Sequence, residues 1–289
     1  MSVDKLQDMI RKVKNPSIVD LSVYAAQLPP YLLEAEGDYP KAYARFCREM
    51  LLGLKGIVPA VRFSHAFFSL MGIAGLELMP KLLKNASDLG FYVLVDGVEA
   101  LSAPAAENAA DVMMKLECDG IILSSYIGSD GLKPYVKRLK ESGKSVYVVL
   151  RTANKTASEI QDLMTGSRLV YMVGAHMANY LGEPLVGKCG YSRVGGLAAA
   201  SSADCLRQLR GKYKKLFLLL DGYDYPNSNA KNCSFAFDQL GHGAAACAGT
   251  SVTMAWQEEE GTAENEYVGA AVRAAERMRE NITRYITVL

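Results

Sequence analysis

The run Phe91-Tyr92-Val93-Leu94-Val95 ends on Asp96, and the chain then turns through Gly97-Val98-Glu99 toward a helix-forming stretch. An apolar run without alternation marks a strand buried on both faces, as in a parallel sheet covered by helices. An acid at its end is delivered to the carboxyl edge of the sheet, where α/β barrels keep their reactive groups. The design recurs along the chain. Candidate strands lie at 17–21, 57–63, 91–96, 120–124, 145–150, 194–199, 216–221 and 244–248. Eight short runs with helical patterns between them predict an α/β chain, a single (β/α)8 TIM barrel covering 1–289. Helices are predicted over 76–90, where Leu76, Met79, Leu82 and Leu83 recur at helical spacing, and over 133–143; each ends on a glycine. An Ala-, Glu- and Arg-rich tail, about 262–285, reads as a closing helix, and the Asn- and Ser-rich piece 223–233 as a loop.

Composition narrows the function classes. The chain has 289 residues, half of them hydrophobic, enough for one large core. Its 32 basic and 31 acidic side chains leave a net charge of +1, so no field recruits nucleic acid or an anionic membrane. No apolar run approaches the ~20 residues of a membrane span, and the start shows no basic-then-apolar signal pattern. The six cysteines have neither zinc spacing nor a C-x-x-C pair, which leads us to expect reduced thiols and a cytoplasmic protein. The three histidines, His65, His176 and His242, form no metal-binding pattern, and neither metal nor cofactor is expected.

The stretch from Asp96 to Ala105 resembles D-x-K-R-x-D-I-G-x-T, the signature of orotidine 5′-phosphate decarboxylases. Further stretches resemble the bacterial long-loop class of that family. Ser124-Ser125-Tyr126-Ile127-Gly128-Ser129-Asp130-Gly131-Leu132-Lys133-Pro134 is similar to V-N-P-Y-x-G-x-D-x-L-x-P. Thr152-Ala153-Asn154, followed by Ile160-Gln161-Asp162-Leu163, is similar to T-S-N and I-Q-D-L. Gly190-Tyr191-Ser192-Arg193-Val194-Gly195 matches G-Y-S-x-V-G, Ala66-Phe67-Phe68 matches A-F-F, and Leu220-Asp221-Gly222-Tyr223 stands where V-P-G-Y opens the phosphate loop. The resemblance implies a barrel of the orotidine 5′-phosphate decarboxylase type that dimerises across its mouth.

In that family a lysine supplies the proton that replaces the departing carboxylate, and alternating lysines and aspartates position it. Preorganised charge of this kind supplies most of the rate. Carried over residue by residue, the first signature acid is Asp96, but the proton-donor lysine is Val98 and the acid that would cross to the partner is Leu101. Arg62 stands for the strand-two lysine, a change of geometry although not of charge. The ribose-holding acid is Ser22, the pyrimidine-facing asparagine and proline are Ser124 and Ser125, and the signature threonine is Ala105. The phosphate loop P-G-Y-G-A-Q-G-G reads Asp221-Gly222-Tyr223-Asp224-Tyr225-Pro226-Asn227-Ser228, and the phosphate-gripping arginine of the last strand is Thr250. A phosphate facing Asp221 and Asp224 without that arginine would be repelled.

Each candidate has a plainer reading. Asp96 is either a working acid or a strand-end acid held by loop amides. Arg62 binds an anion or, as we favour, pairs with Asp96. Glu99, Asp221 and Asp224 join Asp96 in an acidic mouth suited to a cation, amine or polyol, or are solvated loop carboxylates. Ser22, Ser124, Ser125, Ser201, Thr250 and the Asn154 amide would bond a polar ligand or merely line strand ends, and Tyr223 would stack on a ring or be an exposed loop tyrosine. The catalytic set is therefore Arg62, Asp96 and Glu99. The expected function is a catalytically degenerate paralogue, a pseudoenzyme keeping barrel and dimer. The alternatives are altered chemistry on a non-phosphorylated polar substrate and genuine orotidine 5′-phosphate decarboxylation in pyrimidine biosynthesis. The expected partner is a second copy, or an intact relative, joined through the barrel-mouth loops.

Overall fold

A computed structural model describes residues 2–288. Helix α1 (Ser2–Val13) precedes strand β1 (Ser17–Asp20); α2 (Pro30–Glu36) and α3 (Tyr39–Leu54) lead to β2 (Ala60–Ser64). Helices α4 (His65–Leu70) and α5 (Gly72–Asp88) lead to β3 (Tyr92–Asp96), followed by α6 (Ala103–Met113), β4 (Gly120–Ser124), α7 (Ser129–Ser142) and β5 (Ser145–Val149). A small hairpin, β6 (Met164–Thr165) with β7 (Arg168–Leu169), and α8 (Val170–Gly182) come before β8 (Val194–Ala199). Then follow α9 (Ala203–Lys212), β9 (Leu218–Asp221), α10 (Ala230–Ser234) and β10 (Ala244–Ala248). Two short helices, α11 (Thr250–Thr253) and α12 (Ala255–Glu258), and the long α13 (Tyr267–Thr283) end the chain. The eight predicted runs become the eight barrel strands, and β1 closes the parallel barrel by pairing with both β2 and β10.

Side-chain alternation sorts each strand into an inner and an outer face. Ile18, Ala60, Tyr92, Leu94, Ile122, Tyr147, Leu197, Phe217, Leu219 and Cys247 form the core inside the barrel; Val19, Val61, Val93, Val95, Ile121 and Val148 pack outward against the helices. The large Tyr92 and Tyr147 fit because Gly120 and Gly195 face them. A Cβ on Gly120 would come within 2.8 Å of both Leu94 and Tyr147, and one on Gly195 within 2.6 Å of Tyr147. Helix α1 stoppers the lower end with Val3, Leu6 and Ile10, and Ser2 Oγ lies 2.8 Å from the Tyr92 hydroxyl, itself 3.0 Å from that of Tyr147. With its floor filled, the barrel can hold a ligand only at its upper, carboxyl end.

Predicted helix bounds shift for local reasons. The 76–90 helix begins at Gly72, and Gly90 follows its end at φ +93°. The 133–143 helix starts at Ser129, four residues early. The 262–285 tail is helical from Tyr267 after a 3-10 turn at Glu264–Glu266. Within the expected loop 223–233, Asn229 caps α10 by accepting the Asn232 N–H at 2.9 Å. Ser102 caps α6 by accepting the Ala105 N–H, with Pro104 in the first turn, which limits the free β3–α6 loop to 97–102. Among the described residues no helix is long and apolar enough to cross a membrane, no group of three or more His, Cys, Asp or Glu residues is placed to hold a metal ion, and all six cysteines are unbridged.

Candidate functional site

The inward phase of each strand decides what reaches the mouth. Ile18, Leu94 and Leu219 point into the barrel, so Asp20, Asp96 and Asp221, two residues on, point in at the top. Arg62 of β2 lies level with Asp20 in the strand register. These four side chains meet. The Arg62 guanidinium grips Asp96 with both prongs, Nε to Oδ1 at 2.7 Å and Nη2 to Oδ2 at 2.8 Å. Its Nη1 donates to Asp221 Oδ1 at 2.6 Å and lies 3.9 Å from Cys247 Sγ. Asp20 Oδ2 is 3.6 Å from Arg62 Nε, while Asp20 Oδ1 accepts the Ser22 N–H at 2.9 Å. Bidentate pairing is the strong form of this contact and fixes the plane of the guanidinium.

The cluster is largely withdrawn from water: the Arg62 side chain is 13% exposed and that of Asp96 28%. Burial opposes charge on Arg62, but Asp96 first and then Asp20, Cys247 and Asp221 more than offset it and raise its pKa well above the ordinary value. Burial pushes the Asp96 carboxyl up; Arg62 pulls it down, and the neighbouring Asp20 and Asp221 push it up again. Burial, reinforced by Asp20 and Asp221, likewise raises the Cys247 thiol, so it stays protonated. One cation thus serves three carboxylates.

In front of Arg62 opens a cavity of about 710 Å3. Asp96, Glu99, Ser124, Ser125 and Asp221 line it with Arg62. Glu99 is exposed on the loop after β3. The Ser124 hydroxyl accepts the Tyr126 N–H at 3.3 Å, and Ser125 Oγ donates to the Val149 carbonyl at 2.8 Å, so each is partly committed to its own backbone. The outer rim is held by Arg151, whose guanidinium grips Asp162 at 2.9 Å through both Nε and Nη2, and by the Thr152 N–H, which donates to Gln161 Oε1 at 2.7 Å.

Other sequence candidates lie elsewhere. Asp224 does not line the main cavity with the other acids: at the end of the last barrel strand its carboxylate accepts the Gly249 N–H at 2.5 Å and the Ser251 hydroxyl. Tyr223 turns away from the mouth and lines a separate cleft with Asn229, Asn281 and Arg284, where burial pushes its phenol up to about 12. Gly222, between Asp221 and Tyr223, turns the chain at φ +72°, a backbone state that disfavours any residue with a Cβ. Asn154 is exposed and tied to Thr152 and Thr156. Ser201 offers its carbonyl to Asn232, Ser22 stands beside Asp20 with its hydroxyl unpartnered, and Thr250 is exposed at the start of α11. Val98, at the proton-donor position, is on the surface of the β3–α6 loop. Asp20 was not singled out from sequence. Its signal was the shared ending of three strands, Ser17-Ile18-Val19-Asp20, Val93-Leu94-Val95-Asp96 and Leu218-Leu219-Leu220-Asp221.

Comparison with known proteins agrees with this architecture. A curated protein from Clostridium kluyveri named orotidine 5′-phosphate decarboxylase is 27% identical over 264 residues, 90% of each chain. One of the same name from Petrotoga mobilis is 26% identical over 287 residues, 98% of each chain. Among solved structures, a putative orotidine-monophosphate-decarboxylase from Toxoplasma gondii superposes with a TM-score of 0.78 at 19% identity, covering 97% of this chain and 98% of that one. Its counterpart from Plasmodium yoelii gives 0.79 at 13% identity, covering 98% of each. No protein-family model matches the chain. The resemblance read from the motifs therefore extends over nearly the whole length, and the chain is an orotidine 5′-phosphate decarboxylase-like TIM barrel.

Proposed function

We propose that this orotidine 5′-phosphate decarboxylase-like barrel is a catalytically degenerate member of the group, a pseudoenzyme that keeps the frame and a ligand-sized mouth. The observation that carries the reading is the state of Arg62. It is the only basic side chain among the described residues lining the main cavity, and its guanidinium is spent on Asp96 and Asp221. Decarboxylation of the family's kind leaves a carbanion that must be protonated. An arginine held charged by surrounding carboxylates gives up no proton near neutrality, and Val98 has none to give. The place of the phosphate grip is also altered, with Thr250 for the arginine and the Asp224 carboxylate on the Gly249 amide.

The test is direct. Purified protein is expected to leave orotidine 5′-phosphate decarboxylation at the uncatalysed rate. Turnover that co-purifies with the protein and disappears with Asp96→Asn would overturn the reading. Genuine decarboxylation is the second reading, and the names of the curated relatives favour it. It would require the proton to come from water or from a group brought by a partner.

We also place the protein in the cytoplasm as a dimer of like chains joined through the mouth loops. Leu101 supports the dimer: it stands 85% exposed on the loop after β3, at the position whose acid reaches the partner in the relatives the sequence resembles. A leucine so placed gains from burial against a second copy.

A further inference from the structure

A second cleft, of about 480 Å3, shares no residue with the mouth cavity. One side of its lining comes from the segment between β9 and α10, with Tyr223, Asn229 and Lys231; the other comes from the end of α13, with Asn281, Arg284 and Tyr285. Lys231 and Arg284 are exposed, and among the described residues neither side chain has a hydrogen-bond or ion-pair partner. No acidic side chain lines the cleft. The acids adjacent in sequence are turned to other places: Asp224 is held by the Gly249 amide and the Ser251 hydroxyl, and Glu280 lines a different cleft beside Arg279.

The remaining polar groups are donors. Burial pushes the Tyr223 phenol up to about 12, so it keeps its proton at neutral pH, and it is hydrogen-bonded with Asn281. Asn229 spends its side-chain oxygen on the Asn232 N–H, which leaves its NH2 group without a partner among the described residues. Two positive charges, amide and phenol donors and no carboxylate make a cleft that disfavours cations and offers an anion charge-assisted hydrogen bonds, the stronger kind. Both cations also stand near helix C-termini, where they complement the backbone dipole. That role needs no ligand, and it is separable by experiment.

We propose that this cleft binds a small organic dicarboxylate, one carboxylate on the Arg284 guanidinium and the other on the Lys231 ammonium. The two cations come from opposite sides of the cleft, so an anion with a charge at each end engages both, whereas a single charged group engages one. A guanidinium presents a fork that fits a carboxylate with two parallel bonds, and an ammonium accepts a second carboxylate as a point charge. The volume is that of a small-molecule site and exceeds what a lone ion fills. The site is separate from the mouth and stands whether or not the mouth is catalytic.

A length series with matched controls tests charge and span together. Succinate, glutarate and adipate are titrated calorimetrically into the full chain at low salt, with butyrate and glutaramide as the singly charged and uncharged controls. At least one dicarboxylate is expected to bind saturably at about 1–10 mM, with butyrate at least ~10-fold weaker and glutaramide silent. Lys231→Gln and Arg284→Gln are each expected to weaken the dicarboxylate about 5-fold, and added salt to weaken it further. Neither residue is part of the core, so both variants are expected to keep the wild-type circular dichroism spectrum. The proposal is overturned if no dicarboxylate gives a saturable signal at about 10 mM, or if butyrate binds as tightly as the dicarboxylates. It is equally overturned if the two variants lose thermal stability but bind like wild type, which would leave the cations to the helix ends alone. Uridine monophosphate, with one phosphate, is expected to be silent at this cleft; nucleotide binding that disappears in Lys231→Gln and Arg284→Gln would make the occupant a phosphate and overturn the dicarboxylate.

Discussion

The Asp224 carboxylate accepts the backbone N–H of Gly249 at 2.5 Å, so an internal acid sits on the amide that follows the last barrel strand. The Ser251 hydroxyl donates to its other oxygen. A carboxylate satisfied by an amide and a hydroxyl is held in place by charge-assisted bonds, each stronger than its neutral counterpart. In the sequence pattern this chain resembles, that end of the mouth grips a phosphate with an arginine where Thr250 stands. Neither change alone restores the grip: with Asp224 in place the amide is taken, and with Thr250 the counter-charge is missing. Wild type is therefore expected to give a flat calorimetric trace with uridine monophosphate, as are Asp224→Gly and Thr250→Arg singly. The double variant is expected to bind in the millimolar range or better, about −4 kcal/mol. A single Thr250→Arg exchange that already binds the nucleotide would show that Asp224 does not occlude the site.

Arg62 holds Asp96, Asp221 and Asp20 together, and its removal leaves like charges confined at the barrel mouth. Breaking a buried pair by deleting one partner typically costs about 3–5 kcal/mol, because the remaining charge is desolvated and unmatched. Arg62→Leu is expected to lose stability of that order in urea denaturation at neutral pH. Arg62→Lys keeps a charge but not the two-pronged grip, and its loss is expected to be smaller. A leucine variant within about 0.5 kcal/mol of wild type, the usual range of neutral surface changes, would mean that the acids escape to solvent and that the cluster is not held by Arg62.

The barrel was legible because eight apolar runs of strand length fit few other arrangements, and the same alternation that made them readable also placed the acids. Asp96 and Arg62 were found as a pair because each stands out against an apolar run. Asp20 is harder to see, because it ends a short strand, Ser17–Asp20, and lies outside the stretch from Asp96 to Ala105 that carries the resemblance. The period-two relation from Ile18 to Asp20, parallel to that from Leu219 to Asp221, was already in the chain. The surroundings of Asp224 and Tyr223 are hidden in the sequence for a different reason. Their directions depend on the left-handed turn at Gly222, whose close approach to Ala153 is a tertiary contact, with only 2.4 Å available to a Cβ. Local sequence does not specify how a loop of that composition folds back.

The raised Asp96 pKa has a consequence for acid stability. A carboxyl whose folded-state pKa lies above its unfolded value of 3.8 holds its proton longer in the native protein. Its contribution is therefore fully present below that value and is lost as pH rises through the raised native pKa. Glu259 has the opposite sign: its hydrogen bonds to Arg273 lower it to about 2, so its contribution is present above its ordinary 4.5 and lost as pH falls. Comparing wild type with Asp96→Asn isolates the first effect. In urea melts from about pH 4 to about pH 7, the stability of wild type relative to the variant is expected to decline as pH rises. A difference that grows with pH would mean that Arg62 dominates and that the native pKa of Asp96 lies below 3.8.

Leu101 gives the sharpest test of assembly. It is 85% exposed beside the half-exposed Val98, and Leu70 and Ile73 on the helices after β2 are 74% and 78% exposed. Single exposed apolar residues are ordinary, but several large ones around a barrel mouth suggest a surface that another chain covers. If that chain is a second copy, each dimer buries two Leu101 side chains, each contributing about 1.5–3 kcal/mol. Leu101→Asp removes both contributions and introduces two acids with no lysine at position 98 to receive them. The dissociation constant is then expected to rise at least 100-fold, since about 1.4 kcal/mol corresponds to a factor of ten. Leu101 lies outside the buried core, so the variant's fold is expected to remain intact by circular dichroism. Sedimentation velocity across a concentration series reads the result. A wild type that remains monomeric at high concentration, or a variant that dimerises with unchanged affinity, would place the partner surface elsewhere.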